Sequence, residues 1–284
     1  MKIAISTEST LDLPKELIEK YEISTIPYEI LLGDQTFLDG EKTTQEMFDF
    51  VDSTGTLPKT SAINVFRYTE YFEGLLKNYD AVVHITLSSG ITSSSNNAQN
   101  ASKSFKNVYV IDSKALSTGI ALLAIYAREL ANQNVSAEEI YKKVSARVPS
   151  LQVSFVVERL DYLHKGGRCS SIALLGANLL KIRPSIKVKC DSDGTMISYK
   201  KYRGRIEQCI EKYCADTLTE FNTPDKSIGF ITYTTATDEM VEAAENALKN
   251  AGFETILKTY AGGTIASHCG AHTLGILYFN DGNK

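Results

Sequence analysis

The 284-residue chain has no excess of basic residues, because its 34 acidic residues outnumber its 30 lysines and arginines and the formal net charge is −4. It also has no basic run. Protein surfaces that bind nucleic acid need clustered positive charge, so we predict no nucleic-acid partner.

Long hydrophobic runs are also missing: the nearly apolar segment 115–127 is interrupted by polar residues and is too short to cross a bilayer. The segment 1–8 turns polar too early for the apolar core of a signal peptide. We expect a soluble, cytoplasmic protein with at most transient membrane contact.

Paired cysteine motifs are absent as well. The five cysteines are an odd number and include no C-x-x-C pair, which favours reduced, mostly structural thiols. No cysteine pair has zinc-finger spacing. His268 and His272 have the i, i+4 spacing of zinc proteases, but Cys269 stands where those enzymes carry glutamate. We therefore predict no metal site.

Standard nucleotide and hydrolase motifs are missing too. The sequence has no G-x-x-x-x-G-K-[ST] phosphate loop, no G-x-G-x-x-G after the first predicted strand and no G-x-S-x-G elbow. The Lys-Gly-Gly-Arg run at 165–168 has two interpretations: a backbone approach to a phosphate, or a helix end with left-handed glycine. We favour the helix end. The standard signatures of nucleotide-binding proteins and of hydrolases are therefore absent.

The length exceeds roughly 250 residues, the size at which single cores usually stop growing, so we expect two domains. Predicted strands and helices alternate through the first half, which indicates an α/β fold with a mainly parallel sheet. Pro149 marks a break before a new strand that begins at Val153. We predict an N-terminal α/β domain over residues 1–150 and a C-terminal α+β domain over residues 151–284, with a ligand site between them.

Local patterns predict several individual elements. Residues 23–32 read as one extended run after the first helix. Thr43 and Glu46 have the spacing of a capping box ahead of a helix. The Asp-Gly pair within 191–195 is typical of a hairpin turn, and we prefer that interpretation to a calcium loop because Tyr202 stands where the loop needs glutamate.

Residues 88–97 carry six hydroxyl side chains and two amides directly after the apolar strand predicted at 81–85. A helix start offers unpaired backbone N–H groups and the positive end of the helix dipole, which suit a carboxylate or a phosphate. Serine, threonine and asparagine are equally ordinary cap residues. An anion site and a plain helix cap are both open interpretations of this turn.

Several segments occur together, in an order that resembles the DegV family and covers nearly the whole chain. They are Ser6 to Pro14, Thr60-Ser61 after Pro58, the turn Ser88 to Ala98, Asp112-Ser113, the run Leu160 to Arg168, Leu179 to Pro184, and His268-x-Gly270 before Leu274-Gly275. The Tyr-Leu-x-Lys-Gly-Gly-Arg part of these segments is the most specific.

The resemblance implies a two-domain DegV-like fold that holds a long-chain fatty acid between its domains. It also implies a role as the fatty-acid-binding subunit of a fatty acid kinase. In that role the chain is not itself an enzyme: it presents the acyl carboxylate to a separate ATP-binding kinase subunit, which forms an acyl phosphate. We expect a ligand of roughly C14 to C20, whose buried alkyl chain gains about 0.8 kcal/mol per methylene, and no other cofactor.

Matched residue by residue, the family pattern implies a head-group site of Thr60, Ser61, Thr92, Ser93 and His268. Hydroxyl groups and an imidazole N–H are suitable donors to a carboxylate. Thr92 stands at the serine of the family pattern and Ser93 at its glycine. Because threonine is stiffer than serine and serine bulkier than glycine, we expect a head-group geometry that differs from the family's.

Two arginines, Arg168 and Arg203, match arginines of the family pattern. We predict that they lie near the exposed carboxylate, where they contact the head group or help partner docking or phosphoryl transfer. A surface ion pair is the alternative for each.

Two other functions remain open at this level. One is a serine-type acyl hydrolase or transferase, with a hydroxyl of the turn as nucleophile and His268 as base. No elbow motif and no assignable acidic partner supports it. The other is a lipid-responsive interaction protein without a kinase partner.

Overall fold

In the computed structural model, which describes residues 1–169 and 182–282, the chain forms three β-sheets with helices packed on them. The strands are β1 (Ile3–Glu8), β2 (Ile23–Ile26), β3 (Glu29–Leu32), β4 (Gln35–Leu38), β5 (Lys59–Ser61), β6 (Ala81–Thr86), β7 (Val108–Asp112), β8 (Leu151–Val156), β9 (Ile182–Val188), β10 (Met196–Arg203), β11 (Ile228–Tyr233), β12 (Thr255–Tyr260) and β13 (Leu274–Phe279). The helices are α1 (Lys15–Lys20), α2 (Thr44–Thr54), α3 (Val65–Leu76), α4 (Ser94–Ser102), α5 (Thr118–Asn132), α6 (Ala137–Arg147), α7 (Asp161–Gly166), α8 (Ile206–Glu220), α9 (Asp238–Asn250) and α10 (Gly263–Cys269).

The first sheet is parallel, with the strand order β2-β1-β6-β7. Every residue of β1 and β6 is buried, which is typical of a parallel sheet whose two faces are both covered by helices. Glu8, Leu87 and Asp112 lie at the carboxyl ends of neighbouring strands and therefore at one edge of the sheet. The predicted α/β fold with a parallel sheet is confirmed.

The extended run predicted over residues 23–32 is wrong in one respect, because it forms two strands in two sheets. β2 belongs to the parallel sheet, whereas β3 pairs antiparallel with β4 and β5 in a small sheet of order β4-β3-β5. Pro27 lies between the two strands, and it has no N–H to continue a ladder. The chain changes sheet there, and Tyr28 is buried at 2% exposure.

The third sheet is mixed and has the order β10-β9-β8-β13-β11-β12. β11 and β12 pair parallel, and the remaining neighbours pair antiparallel. The predicted turn at 191–195 joins β9 to β10, and Gly194 has the left-handed φ of 67°, which glycine adopts without strain. Helices α8 and α9 pack on this sheet. The predicted second unit with a mixture of helices and strands is confirmed.

Helix α5 connects the two large sheets. It packs against β1 and β6 of the parallel sheet and against β8 and β13 of the mixed sheet. Its Gly119 is so close to Val153 that a Cβ would lie 2.8 Å from that side chain. One buried hydrophobic cluster therefore extends from the parallel sheet into the mixed sheet. The domain boundary near residue 150 stays a prediction.

The small sheet has its own core, in which Ile30 and Met47 pack with Tyr162 of α7 and Ala266 of α10. The predicted capping box is present at the start of α2, where Thr43 and Glu46 bond each other's backbone. In residues 1–169 and 182–282 no helix is long and apolar enough to cross a membrane. All five cysteines are buried thiols within the described ranges. Residues 179–181 of the matched segment 179–184 lie outside the described residues.

Candidate functional site

The turn that follows β6 touches the hairpin between β9 and β10. Ser88 donates its hydroxyl to the carbonyl oxygen of Gly194 at 2.8 Å. Gly90 is so close to the hairpin that a Cβ would lie 2.4 Å from the carbonyl oxygen of Asp193. A side chain at position 90 therefore does not fit without movement of the backbone. This contact places the turn of the parallel sheet against the hairpin of the mixed sheet.

Helix α10 places His268 against β5. The Nε2 atom of His268 lies 2.8 Å from the hydroxyl of Thr60. The ring packs against Gly166, where a Cβ would lie 2.6 Å from Nδ1. Burial and, to a smaller extent, the positive charge of Arg168 lower the pKa of His268 to about 4. His268 is therefore neutral near pH 7 and carries one N–H.

A cavity of about 40 Å³ lies between this histidine and the turn after β6. Its polar lining residues are Tyr28, Thr60, Thr92, Arg168, Thr264 and His268. A second cavity, of about 20 Å³, shares Leu116, Ile265 and Cys269 with the first and extends toward Phe155 and Leu277 of the mixed sheet. The two cavities adjoin with these shared side chains between them, and they mark a path that is polar at one end and mainly apolar at the other.

Three polar atoms on the lining residues are buried and have no hydrogen-bond partner among the described residues. They are the hydroxyl oxygens of Tyr28 and Thr264 and the Nδ1 atom of His268. The phenol of Tyr28 lies beside Thr92 and Ser94 but makes a well-formed hydrogen bond to neither. Buried polar groups are nearly always paired, so a cluster of unpaired ones indicates a place for a polar ligand.

A wider groove of about 880 Å³ lies between the start of α2 and the strands β11 and β12. Asp39, Lys42, Tyr233 and Tyr260 are among its lining residues. None of the unpartnered buried polar atoms of the described residues belongs to this groove. Size alone does not mark a binding site, and we take the smaller cavity as the candidate because its polar groups lack partners.

The structure brings together four of the residues that the sequence analysis selected: Thr60, Thr92, Arg168 and His268 all line the first cavity. Ser61 and Ser93 are exposed and are not among the lining residues. Ser61 follows Thr60 on a strand, so its side chain points to the opposite side.

Arg203 does not reach the cavity. Met196 lines the cavity at the start of β10, and Arg203 ends that strand, about 20 Å further along at ~3.3 Å per residue. The run 165–168 ends α7, with Gly167 in the left-handed conformation at φ 67°. This is the helix end that the sequence predicts.

Two lining residues, Tyr28 and Thr264, have no signal in the sequence. Tyr28 follows Pro27, and Thr264 is the second residue of a short buried helix. Neither belongs to a spacing pattern that carries chemistry, and each reaches the cavity only because β3 and α10 pack together. Tertiary packing alone identifies them.

Two buried carboxyl groups lie close to the site. Burial raises the pKa of Glu8 to about 7, although hydrogen bonds from Tyr68 and Leu87 act in the opposite direction. Burial likewise raises the pKa of Asp12 to about 8, against hydrogen bonds from Ser117 and Gly262. Neither acid is among the site residues that the sequence predicts.

The arrangement around His268 does not resemble that of a hydrolase. A catalytic base is normally oriented by a carboxylate, but Nδ1 of His268 has no partner in the described part of the chain. His272 has a different partner, because its Nδ1 lies 2.5 Å from Glu158. His268 and His272 therefore do not share a ligand. No group of three or more His, Cys, Asp or Glu side chains suited to a metal occurs in the described ranges.

Comparisons with known proteins identify the family. The family model described as DegV matches residues 2–281. A fatty acid-binding protein of Thermotoga maritima is 36% identical over 230 residues, which are 76% of this chain and 78% of that protein. A DegV family structure from Thermus thermophilus has the same fold, with a TM-score of 0.90 and 24% identity over 98% of this chain and 99% of its own. A stearic acid-binding protein from Eubacterium ventriosum has a TM-score of 0.80 and 25% identity over 98% of both chains. The chain therefore belongs to the DegV family.

Proposed function

We propose that this protein binds a long-chain fatty acid, with the carboxylate at the polar end of the first cavity and the alkyl chain along the apolar path. The observation that carries the proposal is that three residues lining one cavity each hold a buried polar atom without a partner among the described residues, and that a mainly apolar cavity adjoins this one. The names of the Thermotoga maritima and Eubacterium ventriosum relatives support it, because one is called a fatty acid-binding and the other a stearic acid-binding protein.

The carboxylate is held by hydroxyl and imidazole donors in this proposal. Thr92 and Tyr28 each offer an O–H, and the pair of Thr60 and neutral His268 offers one further proton, because the other proton of the pair lies in the hydrogen bond between them. Hydrogen bonds to a charged partner contribute about 1.5–3 kcal/mol each. Burial of fourteen methylenes contributes about 11 kcal/mol before ordering costs. The alkyl chain therefore sets the affinity, and the polar groups set the orientation.

Entry of the alkyl chain requires side chains to move. The two cavities measure about 40 and 20 Å³, which is room for a few water-sized groups. Leu116 and Ile265 line both cavities, so their side chains separate the polar end from the apolar end. We propose that these two side chains change rotamer to join the cavities when a fatty acid binds.

Native mass spectrometry tests the proposal directly. The protein, purified and then incubated with oleate, is expected to retain the mass of one intact fatty acid. Acyl-ester hydrolysis, or no lipid adduct with any acid between C14 and C20, contradicts the proposal, and ester turnover favours the hydrolase alternative instead.

Tyr28→Phe tests the position of the head group. Because the Tyr28 hydroxyl has no partner within the described part of the protein, its removal is expected to leave the free energy of unfolding unchanged. The same change is expected to weaken oleate binding roughly 10-fold to 150-fold, the equivalent of one hydrogen bond to a charged group. Tyr141→Phe, at a half-exposed tyrosine of α6, is the matched control. Equal Kd values for the two variants contradict this placement.

We also propose that the bound acid is presented to a separate ATP-binding kinase subunit in the cytoplasm, which phosphorylates the carboxylate. Two observations support a partner of this kind: the sequence has no phosphate loop of its own, and Arg168 is exposed at the cavity. Arg203, far from the cavity, is then a docking residue rather than a head-group contact.

Acyl phosphate formation with the kinase subunit, oleate and ATP tests this second part. Arg203→Ala is expected to lower turnover while oleate affinity stays at the wild-type value. Arg205→Ala, at a neighbouring arginine that is also exposed, is the matched control. Unchanged turnover in Arg203→Ala contradicts the docking role, and a protein that binds oleate but supports no phosphorylation favours the lipid-responsive alternative.

A further inference from the structure

Glu8 is a buried carboxyl group that is not among the lining residues of the cavity. It ends β1 and is 0% exposed. One carboxylate oxygen accepts the hydroxyl of Tyr68, and the other accepts the backbone N–H of Leu87 at 2.5 Å. Glu8 is therefore bonded both to α3 and to the first residue of the turn that lines the cavity.

A series of hydroxyl groups leads from Tyr68 to the cavity. The hydroxyl of Ser94 lies beside the phenol of Tyr68, and the hydroxyl of Thr92 donates to that of Ser94 at 3.2 Å. Ser94 also accepts the backbone N–H of Ile63 at 3.0 Å. Thr92 lines the cavity, so three hydroxyl groups separate Glu8 from the proposed carboxylate position. We call Tyr68, Ser94 and Thr92 the hydroxyl chain.

The charge of Glu8 decides which way the protons of the hydroxyl chain point. An ionised carboxylate only accepts, so Tyr68 then donates to Glu8 and Thr92 to Ser94, and the phenol oxygen of Tyr68 is left to accept from the adjacent Ser94 hydroxyl. Thr92 presents a lone pair to the cavity in that state. A protonated Glu8 donates to Tyr68 instead, each hydroxyl reverses in turn, and Thr92 directs its O–H into the cavity. A carboxylate ligand gains a donor from Thr92 only in the second state.

We propose that Glu8 is a positioning residue whose proton turns the hydroxyl chain toward the ligand, so that binding of a fatty acid carboxylate is coupled to uptake of one proton. The proton comes from solvent and goes to the Glu8 carboxylate, and no bond of the fatty acid changes. This inference rests on the proposed function, because its ligand is the fatty acid of that proposal.

The titratable groups of the described residues that face Glu8 keep their charge state near neutral pH. Glu8 is therefore the group whose charge changes there. Burial raises the pKa of Glu8 to about 7. Burial also raises the pKa of Tyr68 and Tyr71 on α3 and of Tyr28, so the phenols stay protonated. The pKa of Asp112 is lowered: burial opposes the shift, but hydrogen bonds from Ser89 and Lys114 outweigh it, so this acid stays ionised. Neutral His268 also keeps its charge state in this range.

The test measures oleate affinity by fluorescence displacement at submicromolar ligand from pH 6 to 9. Calorimetry in buffers of different ionisation enthalpy then gives the protons taken up. In the wild type, Kd is expected to rise up to about tenfold per pH unit above pH 7, with close to one proton bound per oleate at pH 8. Glu8→Gln is expected to show neither effect, because its amide mimics the protonated acid: it donates to Tyr68 and accepts from Leu87.

Two further variants test whether the hydroxyl chain carries the coupling. Ser94→Ala cuts the chain without touching the bonds of Glu8, and it is expected to abolish the pH dependence. Asp12→Asn is the matched control: Asp12 is also a buried acid with a raised pKa of about 8, but it bonds Ser117 and Gly262 outside the chain. Asp12→Asn is expected to keep the wild-type slope.

A wild type with a flat profile, a Glu8→Gln variant with the wild-type slope, or a Ser94→Ala variant with that slope each overturns the inference. If Glu8→Gln does not fold, the wild type and Ser94→Ala still decide. A protein that binds no fatty acid at any pH contradicts the proposed function instead, whereas oleate binding without proton uptake overturns the role of Glu8 alone.

Discussion

Substitution of Gly90 by alanine is expected to separate the two turns that enclose the cavity. The new Cβ would lie 2.4 Å from the carbonyl oxygen of Asp193 and 2.6 Å from the carbonyl carbon of Gly194. Both contacts are with backbone, so no side-chain rotation relieves them. A normal contact needs about 3.4 Å, and the hairpin must therefore move away from the turn by about 1 Å.

The energetic cost has two parts. Overpacking of one methyl group in a well-packed region costs about 1–3 kcal/mol. The movement also stretches the hydrogen bond from Ser88 to Gly194, now 2.8 Å long, whose net contribution is about 0.5–1.5 kcal/mol. The expected destabilisation is about 2–4 kcal/mol. Thr92 and Met196 line the cavity from opposite sides of this contact, so oleate affinity should fall as well.

Urea unfolding followed by far-ultraviolet circular dichroism measures the effect, since the chain has no tryptophan for fluorescence. Gly74→Ala is the matched control: Gly74 is an exposed residue of α3, and apart from its chain neighbours and the backbone of its own helix no atom lies within 4 Å of the place that a Cβ would take there. Alanine at this position is expected to stabilise the protein by about 1 kcal/mol through helix propensity. The expectation fails if Gly90→Ala is as stable as the wild type or shifts in the same direction as Gly74→Ala.

Three further predictions concern buried groups. Gly166→Ala puts a Cβ 2.6 Å from Nδ1 of His268 and is expected to push the ring off Thr60, weakening oleate binding with little change in unfolding free energy; an unchanged Kd contradicts this. Because burial raises the folded pKa of Glu8 from 4.5 to about 7, its contribution to stability is fully present below pH 4.5 and is lost as pH rises through 7. Glu8→Gln should therefore gain up to about 3 kcal/mol relative to the wild type between pH 5 and pH 8 in urea unfolding, and equal differences at the two pH values would argue against it. All five cysteines are buried, so a thiol reagent should label the native protein slowly and label all five at once in urea; fast native labelling would show that a thiol is accessible.

Much of the fold could be predicted because it depends on local patterns. The capping box at Thr43 and the hairpin turn at 191–195 each depend on a few neighbouring residues, and both are present. The prediction that residues 23–32 form one extended run was wrong. Pro27 lies within these residues, and its effect on strand pairing depends on which sheet each half of the run joins. Strand pairing is a long-range choice, and a local pattern does not specify it.

The site was only partly predictable. Family motifs selected Thr60, Thr92 and His268, which meet at one cavity. They also selected Arg203, which lies at the far end of β10, about 20 Å from the cavity at ~3.3 Å per residue. A motif gives the identity of a residue but not the distance between two motifs in space.

Periodicity, cap chemistry and motif order are properties of the sequence itself. They were therefore enough to specify the α/β class, the hydroxyl-rich turn and the family. Packing of distant segments was needed to show that Tyr28 and Thr264 join the cavity and that Glu8 is buried close to it. These three residues look like ordinary strand and helix positions in the sequence. Their chemistry depends on loss of water and on neighbours from distant segments, and both arise only when the sheets and helices pack together.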